Sequence, residues 1–162
     1  MTGRPIAVGM AELAVARAPE RLAALGLGSC VALALYDPAV RVGGMAHVLL
    51  PAPPPGTANP VPGRYAQTAV PLLVAQLEAA GADRSRLVAR LAGGAAMFVG
   101  LAPPGAIQTG DRNILAVREA LSAAGIPIAG EWVGGDFGRS LVFDLASGRV
   151  EVASVRHGSR EL

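Results

Sequence analysis

The hydrophobic pattern of the chain alternates between strands and helices. Over residues 31–36, large and small apolar residues alternate with a period of two, which favours a β-strand. Asp37 and Pro38 follow in the order preferred at the first two positions of a type I turn. Residues 40–50 then continue as a second, largely buried strand. We therefore predict a β-hairpin whose four-residue loop is Asp37–Val40.

The rest of the chain continues this alternation. Residues 65–80 carry apolar side chains along one side and stop at Gly81, as expected of an amphipathic helix. Pro71 lies within that pattern and is expected in the first turn or at a kink. A second amphipathic helix is predicted from a capping Asp111 to Ala124. Shorter apolar runs predict four more strands, at residues 87–91, 126–133, 140–145 and 149–155.

These elements fit one α/β domain spanning residues 1–162, because no internal repeat or domain boundary interrupts them. A domain of this length can bury roughly 70% of its unfolded surface without covalent staples. The single cysteine excludes an internal disulfide framework, and the 52% hydrophobic content argues against intrinsic disorder. The proline-rich segment 51–63 has no core-forming pattern and is expected to be a loop.

Charge and targeting signals narrow the function classes. All 14 basic residues are arginines, they are scattered along the chain, and the formal net charge is only +2. A nucleic-acid-binding surface would be expected to cluster them among aromatic residues, so no nucleic-acid partner is predicted. The first twenty residues lack the pattern of a secretory leader, and glycine and proline interrupt the apolar stretch 91–110. We expect a soluble, cytoplasmic protein without membrane insertion.

The candidate chemistry rests on one cysteine and two histidines. Cys30 lies in the segment LGLGSC, where Gly26 and Gly28 permit a tight bend before the predicted strand. His47 lies in MAHVLLP on the second strand. In the predicted hairpin register the two residues are directly opposed on one face, with Cβ atoms about 4.5–5.5 Å apart. That spacing suits a thiol–imidazole pair, in which histidine takes the proton and the thiolate attacks.

A purely structural interpretation of the same residues stays open. A lone cysteine in an apolar stretch is commonly a buried small hydrophobe, and a lone histidine is commonly a hydrogen-bonded core residue.

His157 stands in a polar C-terminal stretch and is expected to be solvated, and the glycine-rich segment 134–139 is expected to be a tight turn. The ligand count is too low for a structural zinc site, and a phosphate-binding loop of the G-x-x-x-x-G-K-[ST] type is impossible without lysine. Neither a metal nor a cofactor is predicted.

Two segments of the chain resemble the CheD family, the chemoreceptor glutamine deamidases of bacterial and archaeal chemotaxis. They are LGLGSCVALALYDP at residues 25–38 and GGMAHVLLP at residues 43–51. Further blocks follow in the family's order, at Arg64–Leu73, Gly93–Phe98, Gly110–Leu121, Val133–Arg139 and Phe143–Gly148. The resemblance therefore extends along nearly the whole chain, with the spacing from Cys30 to His47 intact.

The resemblance implies both a fold and a reaction. The fold would be a layered α/β sandwich of mixed β-sheets with helices packed outside, similar to the cysteine-hydrolase domain of deamidating toxins. The reaction would be the hydrolysis of glutamine side chains to glutamate on methyl-accepting chemoreceptors, without a cofactor. Cys30 would be the nucleophile and His47 the general base, and the bend at Gly28 and Ser29 would help to bind the oxyanion. The implied partners are the receptors and the phosphatase CheC, which binds CheD and modulates it.

Two positions depart from the family pattern. Ala96 stands where the family's glycine-rich segment often has a polar residue, and no role is assigned to it. The family's threonine six residues before the cysteine orients the imidazole, and this chain has Ala24 there. His47 would then need to be oriented by a backbone carbonyl, a water or another side chain. The departure at Ala24 keeps a second hypothesis open, in which the chain docks to receptors or CheC but has lost or weakened catalysis. A third hypothesis is an amidase or esterase for a small substrate, with residues 51–63 as a lid.

Overall fold

The computed structural model describes residues 3–97 and 108–162, so Phe98, which belongs to one of the CheD-like blocks, lies outside the described residues. Within these ranges the chain forms ten strands and two α-helices. The first five strands are β1 (Ile6–Ala7), β2 (Leu13–Arg17), β3 (Arg21–Leu27), β4 (Val31–Asp37) and β5 (Val42–Val48). After helix α1 (Ala66–Ala79) come β6 (Val88–Gly93), helix α2 (Thr109–Ala123), β7 (Ile128–Val133), β8 (Arg139–Asp144), β9 (Val150–Ser154) and β10 (Gly158–Glu161).

The strands form two five-stranded mixed sheets. The first has the order β1-β3-β8-β9-β10 and the second has the order β2-β5-β4-β6-β7. Each sheet contains one parallel pair, β1 with β3 and β6 with β7, and its other pairs are antiparallel. This arrangement confirms the predicted α/β architecture with mixed sheets. The likeness to deamidating toxins stays a prediction.

Strand β4 separates two apolar cores. Its large residues, such as Leu33 and Leu35, pack with α1 and α2 on one face of the second sheet. Its small residues, such as Ala32 and Ala34, face the first sheet and contribute to a core between the two sheets. The molecule is therefore a three-layer sandwich of sheet, sheet and helices. Both helices cover the same sheet.

The β4–β5 hairpin has a different loop from the one predicted. Asp37 pairs with Val42, so the four loop residues are Pro38–Arg41 and the predicted loop began one residue too early. Asp37 stays in the strand because its buried carboxylate accepts hydrogen bonds from Arg86 Nε at 2.9 Å and from the Asp83 N–H at 2.8 Å. Arg41 closes the loop with a φ of 53°, a left-handed conformation that ends many hairpin loops.

Both predicted helices are present with small corrections at their N-terminal ends. Helix α1 spans Ala66–Ala79, and Pro71 lies inside it beyond the first turn. Helix α2 begins at Thr109, so Asp111 is not its cap; it lies in the first turn, where a carboxylate favours the positive end of the helix dipole. No helix within residues 3–97 and 108–162 is long and apolar enough to cross a membrane.

Candidate active site

Cys30 lies in a short, tightly fixed loop between β3 and β4. The Ala95 N–H donates to the Gly28 carbonyl at 2.8 Å, and the Gly94 N–H donates to the Cys30 carbonyl at 2.8 Å. The approach is so close that a Cβ at Gly93 would lie 2.2 Å from the Cys30 carbonyl oxygen. The half-buried Cys30 side chain packs against the core between the sheets. The backbone of Gly28–Cys30, which we call the cysteine loop, therefore has a defined conformation.

The His47 ring is buried in the layer between the sheets and anchored at one nitrogen. Its side chain is on β5, the residue is only 3% exposed, and Nδ1 lies 3.0 Å from the Val8 carbonyl oxygen. A carbonyl oxygen can only accept, so Nδ1 carries the hydrogen and, in the neutral ring, Nε2 keeps a lone pair. Nε2 is buried and has no hydrogen-bond partner among the described residues. The hydrogen bond to Val8 therefore fixes the tautomer that a general base requires.

Val8 supplies the acceptor that Ala24 lacks. Strand β1 runs parallel to β3, and the Val8 N–H continues this pairing by donating to the Ala23 carbonyl at 2.8 Å. Val8 and Ala24 are both buried in the core between the sheets. His47 is therefore oriented by a backbone carbonyl, that of Val8, and not by the side chain at position 24.

The structure places Cys30 and His47 on the same face of the second sheet, but not directly opposite each other. His47 pairs with Ala32, so the predicted pairing with Cys30 is wrong by two residues, because the hairpin loop begins one residue later than predicted. A shift of two residues leaves the face unchanged, and both side chains point toward the core between the sheets. Cys30 is thus a diagonal neighbour of His47, and residues in that relation on one face of an antiparallel pair are about 7–8 Å apart. Both residues are described, and no hydrogen bond joins their side chains.

The local environment disfavours the thiolate form of Cys30. Burial disfavours the thiolate and raises the pKa of the thiol, and the hydrogen bond from Cys30's own backbone N–H opposes this only in part. A thiol of this kind needs a base to accept its proton during attack. Within the described residues, the N–H groups of Ser29 and Cys30 donate to no backbone carbonyl. Neither N–H group is therefore engaged by a backbone acceptor in this part of the structure.

Asn113 is a buried site residue whose role the sequence did not predict. Its side chain is completely buried on α2, and Nδ2 donates to the Ser29 carbonyl at 2.9 Å and to the Leu49 carbonyl at 2.7 Å. The residue belongs to a CheD-like block, but nothing in the block assigns it a partner. One feature of the sequence could have indicated a buried role: Asn113 lies on the apolar face of α2, one turn before the buried Val117.

The other candidate segments lie around this centre. The glycine-rich segment 134–139 also ties strands together through Arg139. The buried guanidinium of Arg139 donates hydrogen bonds to the carbonyls of Gly93 at 2.9 Å and Trp132 at 3.1 Å. His157 is exposed, as expected, with its ring 4.2 Å from that of Phe137. In residues 3–97 and 108–162, no three His, Cys, Asp or Glu side chains are grouped so as to bind a metal ion.

An open cleft with a volume of about 530 Å³ adjoins the cysteine loop. The residues that line the cleft include Gly26 and Gly28 beside the cysteine loop, and also Met97, Phe137 and Arg156. The Met97 side chain is 46% exposed and overlies Gly28, because a Cβ on that glycine would lie 3.5 Å from Met97 Cγ. The cleft is open rather than enclosed, so it suits an extended partner better than a small molecule.

Comparisons with known proteins agree on one family. The family model for CheD, described as chemotactic sensory transduction, matches residues 49–154. A protein of Symbiobacterium thermophilum named "Probable chemoreceptor glutamine deamidase CheD" is 48% identical over 158 residues, which are 96% of each chain. A protein of the same name from Desulforamulus reducens is 44% identical over 150 residues, 93% of this chain and 90% of its own. The "Probable chemoreceptor glutamine deamidase CheD 2" of Geobacter metallireducens is 45% identical over 162 residues, 97% of this chain and 98% of its own.

Proposed function

The chain belongs to the CheD family, and on that basis we propose that it hydrolyses glutamine side chains of methyl-accepting chemoreceptors to glutamate and ammonia. The observation that carries the proposal is the arrangement of His47. Its Nδ1–H is bonded to the Val8 carbonyl, and its Nε2 lone pair is buried on the same face as the Cys30 thiol. A cysteine and a correctly protonated histidine are the groups that amide hydrolysis through a thioester requires.

In the proposed reaction, His47 Nε2 takes the thiol proton as the Cys30 sulfur attacks the carbon of the glutamine amide. The carbonyl oxygen becomes an oxyanion, which the backbone N–H groups of Ser29 and Cys30 stabilise. The C–N bond then breaks, and the His47 imidazolium returns its proton to the departing ammonia. Water attacks the resulting thioester, again losing a proton to Nε2, and releases glutamate and the thiol.

The raised pKa of Cys30 determines how the proton moves. A thiol that is protonated at neutral pH does not form a standing thiolate–imidazolium pair, so proton transfer accompanies attack. The main chain keeps the two residues at the separation of diagonal neighbours, and rotation of the Cys30 side chain brings its sulfur to Nε2 when substrate binds, since catalytic hydrogen bonds are often poorly aligned in free enzymes. The Val8 carbonyl performs the orienting role that a threonine at Ala24 would have, because the correct tautomer requires only an acceptor at Nδ1.

The direct test is conversion of receptor glutamines. Cytoplasmic fragments of a chemoreceptor are incubated with the protein, and the change from glutamine to glutamate is measured by mass spectrometry. We expect conversion by the wild type, none by Cys30→Ala, and a rate at least about 100-fold lower for His47→Ala. Absence of conversion by the wild type, or equal conversion by Cys30→Ala, would refute the proposal.

The replacement of threonine by Ala24 favours a second candidate, a receptor- or CheC-binding adaptor with weakened catalysis. An adaptor would bind receptor fragments or CheC with normal affinity and convert no glutamine. Measuring receptor binding and glutamine conversion on one preparation separates the adaptor from the enzyme.

A further inference from the structure

We propose that Asn113 is the positioning residue that sets the distance between the cysteine loop and the strand that carries His47. The proposal rests on the proposed function for the identity of the reacting pair, and it adds a residue to which that function assigned no role. Nδ2 of Asn113 has two N–H groups, and the structure gives each one a carbonyl. Ser29, bound at 2.9 Å, precedes the nucleophile, and Leu49, bound at 2.7 Å, follows the base by two residues.

The bridge stands where ordinary strand pairing stops. Val31 and Val48 are the last paired residues of β4 and β5, so the next positions, Cys30 and Leu49, lie beyond the ladder. Beyond this point each segment is bonded to other parts of the chain, Cys30 to Gly94 and Leu49 to Arg64, and no ladder bond joins the two segments directly. One planar amide bonded to a carbonyl on each segment replaces the missing ladder bonds.

Helix α2 gives Asn113 a rigid base. A Cβ on Gly110 would lie 2.4 Å from the Ala95 carbonyl oxygen, and a Cβ on Gly94 would lie 2.4 Å from the Ile114 side chain. The first turns of the helix therefore touch the Gly94–Ala95 backbone, whose N–H groups bind the cysteine loop. Such close packing allows little relative movement. The helix, the Gly94–Ala95 segment and the cysteine loop form one unit.

The chemistry of the bridge requires both N–H groups of the amide. An aspartate has the same shape but only acceptor oxygens, which would face two carbonyl oxygens. An alanine leaves both carbonyls without a donor. Oδ1 of Asn113 is buried and has no partner among the described residues, so the interaction of this amide with its surroundings is through Nδ2.

The test is a cycle of variants read by two assays. Asn113→Ala and Asn113→Asp are each made in the wild type and in His47→Ala, and the exposed Ser122→Ala on the same helix is the control. The rate of Cys30 alkylation by iodoacetamide is measured at neutral pH, and kcat and KM are measured on receptor fragments. We expect both Asn113 variants to lower kcat by about 10- to 100-fold with KM unchanged within about twofold. Ser122→Ala should change neither constant.

The kcat values in the two backgrounds decide whether Asn113 acts through the pair. In the wild-type background Asn113→Ala should lower kcat by about 10- to 100-fold, whereas in the His47→Ala background it should lower kcat by less than about twofold. The rate of Cys30 alkylation without substrate should change by less than about twofold, because the thiol and His47 are not yet hydrogen-bonded. Equal factors in both backgrounds, or an unchanged kcat, would overturn the proposal. Loss of folding by both variants, read by circular dichroism, would make Asn113 a structural residue and overturn it as well. Failure of the proposed function would appear separately, as a wild type that converts no receptor glutamine.

Discussion

His47 depends on a single hydrogen bond for its tautomer, and the acceptor is a main-chain atom. Every residue has a carbonyl oxygen, so a pattern of side chains cannot predict which one will meet an imidazole. The sequence could predict that Ala24 leaves His47 without its usual acceptor. It could not predict that the segment following β1 would bring the Val8 oxygen to 3.0 Å from Nδ1, because that contact joins residues 39 positions apart.

The variant Ala24→Thr, which introduces the family's threonine, tests whether the Val8 carbonyl already orients His47. Ala24 is completely buried in the core between the sheets, so Ala24→Thr adds two heavy atoms to a packed region. We expect a loss of about 1–3 kcal/mol in the free energy of unfolding, measured by urea denaturation. We expect kcat on receptor fragments to stay within about twofold, because Nδ1 already has an acceptor. A tenfold gain in kcat would instead mean that His47 is poorly oriented in the natural chain.

The protonation of Cys30 predicts the pH dependence of its reactivity. Burial raises the pKa of the thiol above its ordinary range, whereas a free cysteine titrates near about 8.5. Because only the thiolate is alkylated, the rate should rise about tenfold per pH unit between about pH 6.5 and 8.5. Alkylation by iodoacetamide in the absence of substrate measures this profile. A plateau near neutral pH would show a preformed thiolate and contradict the proposed proton transfer during attack.

At the scale of elements, the sequence predicts best where the pattern is local. The periodicity of residues 65–80 and the apolar runs at 140–145 and 149–155 predicted their elements correctly, as α1, β8 and β9 confirm. Strands β2 and β3 were missed because they are rich in alanine, which has little intrinsic preference for strands. Their pairing with β5 and β8 stabilises them as strands. This stabilisation depends on distant parts of the chain.

The error in the hairpin loop has the same origin. Asp37 has the side chain of a turn-forming residue, and its Oδ1 does accept the Ala39 N–H at 3.0 Å. It nevertheless remains in β4, because Arg86 and the Asp83 N–H bind its carboxylate from beyond α1. These partners are more than 40 residues away in sequence. A one-residue change in the loop then moved the partner of His47 by two positions.

Removing the Asp37 carboxylate should destabilise the fold in a pH-dependent way. Burial alone would raise the pKa of Asp37, but hydrogen bonds from Arg86, Asp83 and Ala39 outweigh it and lower the pKa. The unfolded chain therefore binds the proton more tightly, and the stabilisation is complete above about pH 3.9 and lost as the pH falls through the lowered pKa. We expect Asp37→Asn to cost about 2 kcal/mol in the free energy of unfolding at pH 7.

Urea denaturation from pH 7 to pH 3 measures this difference. The gap between wild type and Asp37→Asn should be constant down to about pH 5 and shrink below about pH 4. The control is Glu119→Gln, which changes an exposed carboxylate on α2 and should leave stability within about 0.5 kcal/mol. A gap that grows on acidification would contradict the assignment of Asp37 as an ionised partner of Arg86.

At the scale of the whole molecule, the three layers put the proposed catalytic pair and the core that the helices cover on different sides of one sheet. The helices bury the large residues of β4 and β5 on one face. The other face carries Ala32, Ala34, Tyr36 and Met45 in the core between the sheets. The cysteine loop lies on that side, and an open cleft of about 530 Å³ reaches Gly28, two residues before Cys30, without being lined by a helix.

Exposed apolar side chains at the cleft predict where a receptor segment docks. Met97 is 46% exposed and Val155 is fully exposed, and both line the cleft that begins at Gly28. Burying a methionine against a partner contributes about 1.5–3 kcal/mol, so Met97→Glu should raise KM for receptor fragments about tenfold or more with kcat little changed. Leu115→Glu, which alters a 54% exposed residue on α2, is the matched control and should leave KM unchanged. The alkylation rate of Cys30 should be the same in Met97→Glu and wild type, since the variant affects docking rather than the reacting pair. An equal rise in KM for both variants would mean that the receptor responds to added charge and does not dock at this cleft.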